Sequence, residues 1–288
     1  MPGEKSKIAA LPLLTQTLGL LRRYNLRARK GLGQHFLIDD GILEKVVTAA
    51  ELTPSDTVVE IGPGLGVLTT QLAQRTGRVI AIELDDTLAS ILKERLASHP
   101  NVTIINEDVL NINPAALVGE ASYKVVANLP YYITSPVLRH FLEASPKPKM
   151  MVVMIQREVA EEITAAPGRM SILSISVQLY GKPFFVARVP AESFYPAPKV
   201  DSAILKIEVY PRPAVDVDTE GFFRVVKAGF KAARKQIGNS LAQGLELPKP
   251  EALALLEKAG IDSQRRAETL TLEEWARLWG MFAAGEVS

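Results

Sequence analysis

From Thr57 onward the chain alternates short, almost wholly apolar runs with segments of helical spacing, and few folds accept that pattern. TVVEI (57–61), RVIAIEL (78–84), VTII (102–105), YKVVANL (123–129) and MMVVMI (150–155) read as strands covered on both faces. Between them LGVLTTQLAQ, DTLASILKERLA and PVLRHFLEA place apolar residues at helical spacing. Such alternation predicts an α/β fold with a doubly wound, mostly parallel sheet. FFVARV and SAILKIEVY, rich in β-branched and aromatic residues, read as later strands. At PRPAVDVD (211–218) proline and aspartate mark a linker, and only helices are expected beyond it.

These breaks divide the chain into an arm over 1–30, an α/β domain over 31–213 and a small all-helical domain over 214–288. In the last, FFRVVKAGFKAARKQIGNSLAQ carries Phe222, Val226, Phe230, Ile237 and Leu241 as one apolar stripe. Arg224, Lys227, Lys231 and Arg234 fall on a different face. PEALALLEKAG and LTLEEWARLWGMFA complete that domain.

The net charge of +1 conceals an asymmetry. Through Gly33 the chain bears Lys5, Lys7, Arg22, Arg23, Arg27, Arg29 and Lys30 against Glu4 alone. Arg224, Lys227, Lys231, Arg234 and Lys235 form a second group with no acid between its ends. Phosphate binding depends on where charge is concentrated, so the distribution matters more than the sum. The apolar stretch IAALPLLTQTLGLL is broken by Pro12, Thr15 and Gln16, which a signal peptide would not tolerate. A transit peptide fits the scarcity of acids better, and a short amphipathic helix leading into a basic arm fits best. The chain has no cysteine, so disulfides, thiolate metal sites and thiol nucleophiles are excluded. No metal is expected, and a reducing cytoplasmic location costs such a chain nothing.

The chemistry concentrates at strand ends. Gly62, Gly64 and Gly66 lie between the first strand and a helix, where the backbone can approach a ligand closely. A dinucleotide fingerprint would put its third glycine where Val67 stands, and no Gly-Lys-Ser/Thr of a phosphate loop follows. Glu83 ends the second strand 21 residues after Gly62, a position suited to accepting both hydroxyls of a ribose. Asp108 follows the third strand and can accept from an adenine amino group. Together they describe a site for a nucleoside without phosphates, such as S-adenosylmethionine.

The fourth strand closes in Asn128-Leu129-Pro130-Tyr131. The amino nitrogen of adenine is a poor nucleophile because its lone pair is delocalised into the ring. Two acceptors aimed at its hydrogens, the Asn128 side-chain oxygen and the carbonyl of Leu129 or Pro130, favour a pyramidal nitrogen. Its lone pair can then point at a sulfonium methyl, through positioning and electrostatics rather than a dedicated base. Tyr131 can stack on the base, which must leave its own stack to enter.

GQHFLID (33–39), VEIGPGLGVLT, NLPY and FYPAPKVDSAIL (194–205) stand in the order seen in the ribosomal RNA adenine dimethyltransferases, and the chain resembles that family from Lys30 to Trp279. FKAARKQIGNSL resembles the helical domain of its small-subunit branch, the KsgA type. The resemblance implies a Rossmann-like class I methyltransferase fold, S-adenosylmethionine as methyl donor, and dimethylation of two adjacent adenosines. Those adenosines lie in a hairpin loop near the 3′ end of 16S rRNA, within a small ribosomal subunit, and the enzyme is expected to act as a monomer with a role in subunit biogenesis.

Carried onto this chain, the family's pattern has His35 and Leu37 closing over the cofactor, Gly62 beneath its methionine part, Glu83 on the ribose and Asp108 on the adenine. Asn128 serves both sites, and Tyr131 and Phe194 sandwich the target base. His35 stands where asparagine is frequent in the family, and either can donate a hydrogen bond. The rivals are a large-subunit (23S) methylase of the macrolide-resistance type, which the helical-domain motif opposes, and a non-catalytic ribosome-assembly factor, which the intact Gly62, Glu83, Asp108 and Asn128 oppose. DNA adenine methylases typically follow the asparagine or aspartate with two prolines.

Overall fold

The computed structural model describes residues 11–286. Lys5 and Lys7 of the basic arm, with Glu4, lie outside the described residues. The sheet has seven strands, β2 (Thr57–Ile61), β3 (Arg78–Glu83), β4 (Val102–Asn106), β5 (Tyr123–Asn128), β6 (Met150–Gln156), β7 (Gly181–Val189) and β9 (Ser202–Val209), in the order β4-β3-β2-β5-β6-β9-β7. Strands β4 to β6 are mutually parallel, and β9 runs antiparallel to β6. A separate two-stranded ribbon pairs β1 (Phe36–Leu37) with β8 (Phe194–Tyr195), bringing together segments far apart in sequence.

Helices α1 (Leu13–Arg23), α2 (Asp40–Ala49), α3 (Val67–Ala73), α4 (Asp86–Arg95), α5 (Pro114–Val118) and α6 (Thr134–Leu142) alternate with these strands. Asp39 and Asp85 cap α2 and α4 by accepting from the first free amides, which explains why both helices begin there. The amphipathic helix expected near the N-terminus is α1, whose Leu13, Thr17, Leu20 and Leu21 are buried. Val58, Val59, Val125, Val126, Val152 and Val153 are fully buried, as strands covered on both faces must be.

The chain forms two compact units. One comprises residues up to Ala160 together with Phe184–Val209, the other Glu161–Pro183 together with residues from Tyr210 onward. Within the second unit lie α8 (Ile172–Gln178), α9 (Thr219–Phe230), α10 (Ile237–Leu245), α11 (Lys249–Lys258) and α12 (Leu272–Glu286); α7 (Arg157–Ile163) lies where the first unit passes into the second. The stripe expected over residues 222–241 is realised on two helices, not one. Phe222, Val226, Ile237 and Leu241 are buried, but residues 231–236 form a turn between α9 and α10. Phe230 is half-buried and stacks on Trp275 at 5.8 Å. The turn is held by the Ser240 hydroxyl donating to the Ala232 carbonyl at 2.9 Å. Arg224, Lys227, Lys231, Arg234 and Lys235 all remain exposed. No helix among the described residues is long and apolar enough to cross a membrane.

Candidate active site

The chain order of the sheet reverses beside β2. Strands β3 and β4 extend to one side of it, and β5 and β6 follow on the other. Beyond the carboxyl ends of β2 and β5 the connections diverge, and the crevice this leaves is the position where open α/β sheets bind ligands. All ten sequence-predicted site residues line one cleft there: His35, Leu37, Gly62, Glu83, Asp108, Asn128, Leu129, Pro130, Tyr131 and Phe194.

Gly62 follows β2 at φ +63°, a conformation that side chains with a Cβ seldom adopt, and its amide donates to the Ile82 carbonyl at 2.9 Å. A Cβ at Gly62 would lie 3.8 Å from the Asn128 carbonyl oxygen and from Pro130, filling the crevice between the two strand ends. Gly66 serves a different purpose. It precedes α3 at φ +76°, and a Cβ there would come within 2.6 Å of Leu92, so it lets α3 and α4 pack closely.

Glu83 is buried at the end of β3, accepting from the Gly64 amide at 3.0 Å and from the Asp85 amide at 2.9 Å. Burial raises its carboxyl above the usual range, and the two amides oppose that rise. Behind it, Glu60 interrupts the apolar strand β2. It is 1 % exposed, and burial pushes its carboxyl up to about 8, with Thr69 opposing the rise and the nearby Glu83 adding to it. Asp108 is half-buried, and its Oδ1 accepts from the Leu110 amide at 3.0 Å, leaving Oδ2 for a ligand.

The Asn128 side chain donates through its amide nitrogen to the His35 carbonyl at 3.1 Å. A carbonyl can only accept, so the amide orientation is fixed and Oδ1 is left as an acceptor. The alternative between Leu129 and Pro130 also resolves. The Pro130 oxygen accepts from the Ile133 amide at 3.1 Å, whereas the Leu129 oxygen accepts no hydrogen bond among the described residues. The two unpaired acceptors, Asn128 Oδ1 and Leu129 O, belong to adjacent residues.

Tyr131 stacks on His35, centroids 6.1 Å apart at 23°, and its hydroxyl pairs with Ser202 at 2.8 Å. Burial raises the Tyr131 hydroxyl above the usual phenol range. His35 Nδ1 lies 2.6 Å from the Pro196 carbonyl, so that nitrogen carries a proton and donates. Leu37 and Phe194 face each other across the β1–β8 ribbon and are both buried. The cleft also includes Gln34, Phe36, Leu65, Leu88 and Tyr132, which motif spacing does not single out. Glu60 was detectable, since a carboxylate inside an otherwise apolar strand is itself a signal.

The family model described as ribosomal RNA adenine dimethylase matches residues 25–284. A ribosomal RNA small subunit methyltransferase A of Dehalococcoides mccartyi is 53 % identical over 269 residues, covering 92 % of each chain. The protein of that name from Pelotomaculum thermopropionicum is 46 % identical, covering 91 % of this chain and 94 % of its own. Among solved structures, a dimethyladenosine transferase from Plasmodium falciparum superposes with a TM-score of 0.76 at 28 % identity, covering 88 % of this chain and 98 % of its own. The 23S rRNA methyltransferase ErmE gives 0.69 at 32 % identity, covering 86 % and 99 %. The chain belongs to the ribosomal RNA adenine dimethylase family.

Proposed function

We propose that this protein transfers methyl groups from S-adenosylmethionine to N6 of two adjacent adenosines in a hairpin loop near the 3′ end of 16S rRNA, giving N6,N6-dimethyladenosine. The observation that carries this reading is the pair of unpaired acceptors, Asn128 Oδ1 and Leu129 O, at the switch point of a sheet whose other strand ends suit a nucleoside. Membership of the family and relatives named for the small subunit favour that substrate over large-subunit RNA. The natural substrate is a small ribosomal subunit, assembled or assembling, and the enzyme works as a monomer with a role in subunit biogenesis.

The residues present fit S-adenosylmethionine. The Gly62 surface admits backbone contact that a Cβ would block, Glu83 is a buried acceptor beside it, and Asp108 keeps an oxygen free. In this reading Gly62 underlies the methionine part, Glu83 holds the ribose and Asp108 the adenine, with His35 and Leu37 covering them. The cofactor supplies an electrophilic sulfonium methyl.

Asn128 Oδ1 and Leu129 O accept the two hydrogens of the adenine amino group. Holding both hydrogens off the ring plane withdraws the nitrogen lone pair from the ring and turns it toward the donor methyl. Tyr131 and Phe194 flank the extruded base, which requires the Tyr131 ring to exchange its contact with His35 for one with the base. Pro130, with its oxygen tied to Ile133, keeps the Asn128–Leu129 pair in register. Offering purified, unmethylated small and large subunits separately, with labelled donor, tests the substrate: label is expected in small-subunit RNA only, and label confined to large-subunit RNA would establish the resistance-type activity instead.

Residues 31–213 carry out the transfer in this reading, and the arm over 1–30 and the helical domain over 214–288 hold RNA. An enzyme that unstacks a base needs phosphate contacts to keep the strand in place. The combined replacement Lys227→Gln, Lys231→Gln, Arg234→Gln is expected to weaken RNA binding and to flatten the plot of log affinity against log salt by about 2, from roughly 0.7 for each lost single-strand phosphate contact. An unchanged slope in filter binding would remove the helical domain's basic residues from the RNA interface.

A further inference from the structure

One wall of the cleft is covered from behind by the N-terminal segment. Leu20 and Leu21 of α1, with Leu18, Tyr24, Leu26 and Ala28, pack on Phe36, Leu65, Val67 and Leu88. Those last four also line the cleft. After α1 the chain turns through the Leu26 amide on the Leu21 carbonyl at 2.8 Å, and the Tyr24 hydroxyl reaches Glu94 at 3.2 Å. The next residues form a closed loop: the Arg29 amide donates to Gln34 Oε1 at 2.8 Å, and the Leu32 amide donates back to the Arg29 carbonyl at 3.1 Å.

Both ends of that loop converge on one buried carboxylate. The Arg29 guanidinium lies 3.1 Å from Asp85 Oδ2, and Gln34 Nε2 donates to the same oxygen at 3.1 Å. The Asp85 side chain is 3 % exposed while that of Arg29 is 58 % exposed. Asp85 Oδ1 is committed to the start of α4 through the Thr87 and Leu88 amides, and the Asp85 backbone amide donates to Glu83 Oε1. Arg29 is therefore connected to Glu83 through a single residue.

The electrostatics give this connection a consequence. The acidic groups facing Glu83 are Asp85 on its own chain segment and Glu60 on the neighbouring strand β2. The charge of Asp85 favours the protonated form of Glu83, while the Asp85 amide opposes it, and Glu83 in turn adds to the rise of the buried Glu60. No cation pairs with Glu83 directly among the described residues, and Arg29 is the cation that offsets Asp85. A carboxyl that keeps its proton has fewer lone pairs for ribose hydroxyls than an ionised one.

We propose that Arg29 is a positioning residue for the cofactor, acting through Asp85, whose charge it balances beside Glu83, and through Gln34 to hold the loop before His35 against the cleft. The proposal rests on the reading of Glu83 as the ribose acceptor. It assigns part of the N-terminal arm to cofactor binding rather than to RNA, while Arg22, Arg23 and Arg27 stay exposed for RNA. Because Arg29 is largely exposed, the expected effect is moderate.

Calorimetric titration of the full chain with S-adenosylmethionine, without RNA, tests it at pH 8 and pH 6. Arg29→Gln is expected to weaken binding roughly fivefold at pH 8, the scale of a partly exposed ion pair, and further at pH 6, because the unbalanced Asp85 charge adds to the burial that raises the Glu83 carboxyl. Arg29→Lys should retain most of the affinity. Asp85→Asn keeps an oxygen for the α4 cap but removes the charge that Arg29 offsets, so adding it to Arg29→Gln should restore the pH dependence of the unaltered protein. Affinity unchanged in Arg29→Gln at both pH values would overturn the proposal. A loss that Asp85→Asn does not correct would overturn the charge linkage, as a purely structural contact predicts that outcome. Absence of heat in the unaltered protein would instead overturn the cofactor reading on which the proposal stands.

Discussion

Asn128→Ala is expected to lower the single-turnover rate of methyl transfer by about a thousandfold, the scale of losing one well-placed polar contact to a transition state. The side chain has two separable functions. Its nitrogen holds the His35 carbonyl at 3.1 Å, and its oxygen is unpaired. Alanine removes both, so cofactor affinity should fall by only a few-fold, through the freed loop, while the chemical step collapses. Asn128→Asp separates them further, because it keeps acceptor oxygens but sets a carboxylate against the His35 carbonyl. Its cofactor affinity should fall at least as far as that of alanine, with a smaller loss in the chemical step. Equal losses in affinity and rate for Asn128→Ala, measured by calorimetry and rapid quench, would mean that the residue is only a loop anchor.

The second large effect lies at the opposite end of the strands. Lys124 is buried within β5, and its Nζ donates to the Ala50 carbonyl at 2.9 Å, the Glu51 carbonyl at 2.5 Å and Asp56 Oδ2 at 2.9 Å. It thus places a positive charge where the carbonyls at the end of α2 lack helical partners and joins that end to the turn before β2. Burial alone would raise the Asp56 carboxyl, but hydrogen bonds from Lys149, Lys124 and the Thr53 amide outweigh it and hold it far below the usual range. A depressed carboxyl stabilises the fold above its unfolded pKa, so this contribution is full at neutral pH and is lost only as strong acid protonates Asp56.

Lys124→Met leaves the two carbonyls without a donor and Asp56 with the Thr53 amide and Lys149. The expected cost is about 3 kcal/mol, or roughly 6–12 °C in Tm for a chain of this size. Lys149→Met is the contrast: its side chain is 48 % exposed. It should cost less than about 1 kcal/mol. Thermal unfolding at pH 7 decides between them, and similar small losses in both would show that the buried cluster does not anchor the sheet.

The strands from β2 to β6 were legible because a strand covered on both faces leaves an unbroken apolar run, and the turns after them carry glycine, aspartate and asparagine for chemical reasons that local sequence exposes. The same logic assembled Gly62, Glu83, Asp108 and Asn128, since consecutive strand ends of a parallel sheet meet at one edge. Other features arise from pairing over long distances. Nothing in GQHFLID or FYPAPKVDS announces that Phe36 lies opposite Tyr195. The break between α9 and α10 is similar. KAARKQ has strong helix formers and no proline, so local propensity continues the helix. The packing of Ile237 and Leu241 back against the α9 side of that unit overrides it, with Gln236 extended at ψ 146°. Lys124 was hidden for the opposite reason, as it looks like a surface charge until its neighbours are known.

The identity of the modified nucleoside tests the central claim most directly. Unmethylated small ribosomal subunits are incubated with the protein and labelled S-adenosylmethionine, and the RNA is digested and its nucleosides separated. Label in N6,N6-dimethyladenosine from two adjacent positions near the 3′ end is the predicted result. Label in any other nucleoside, or no transfer from a protein that demonstrably binds the cofactor, would contradict it.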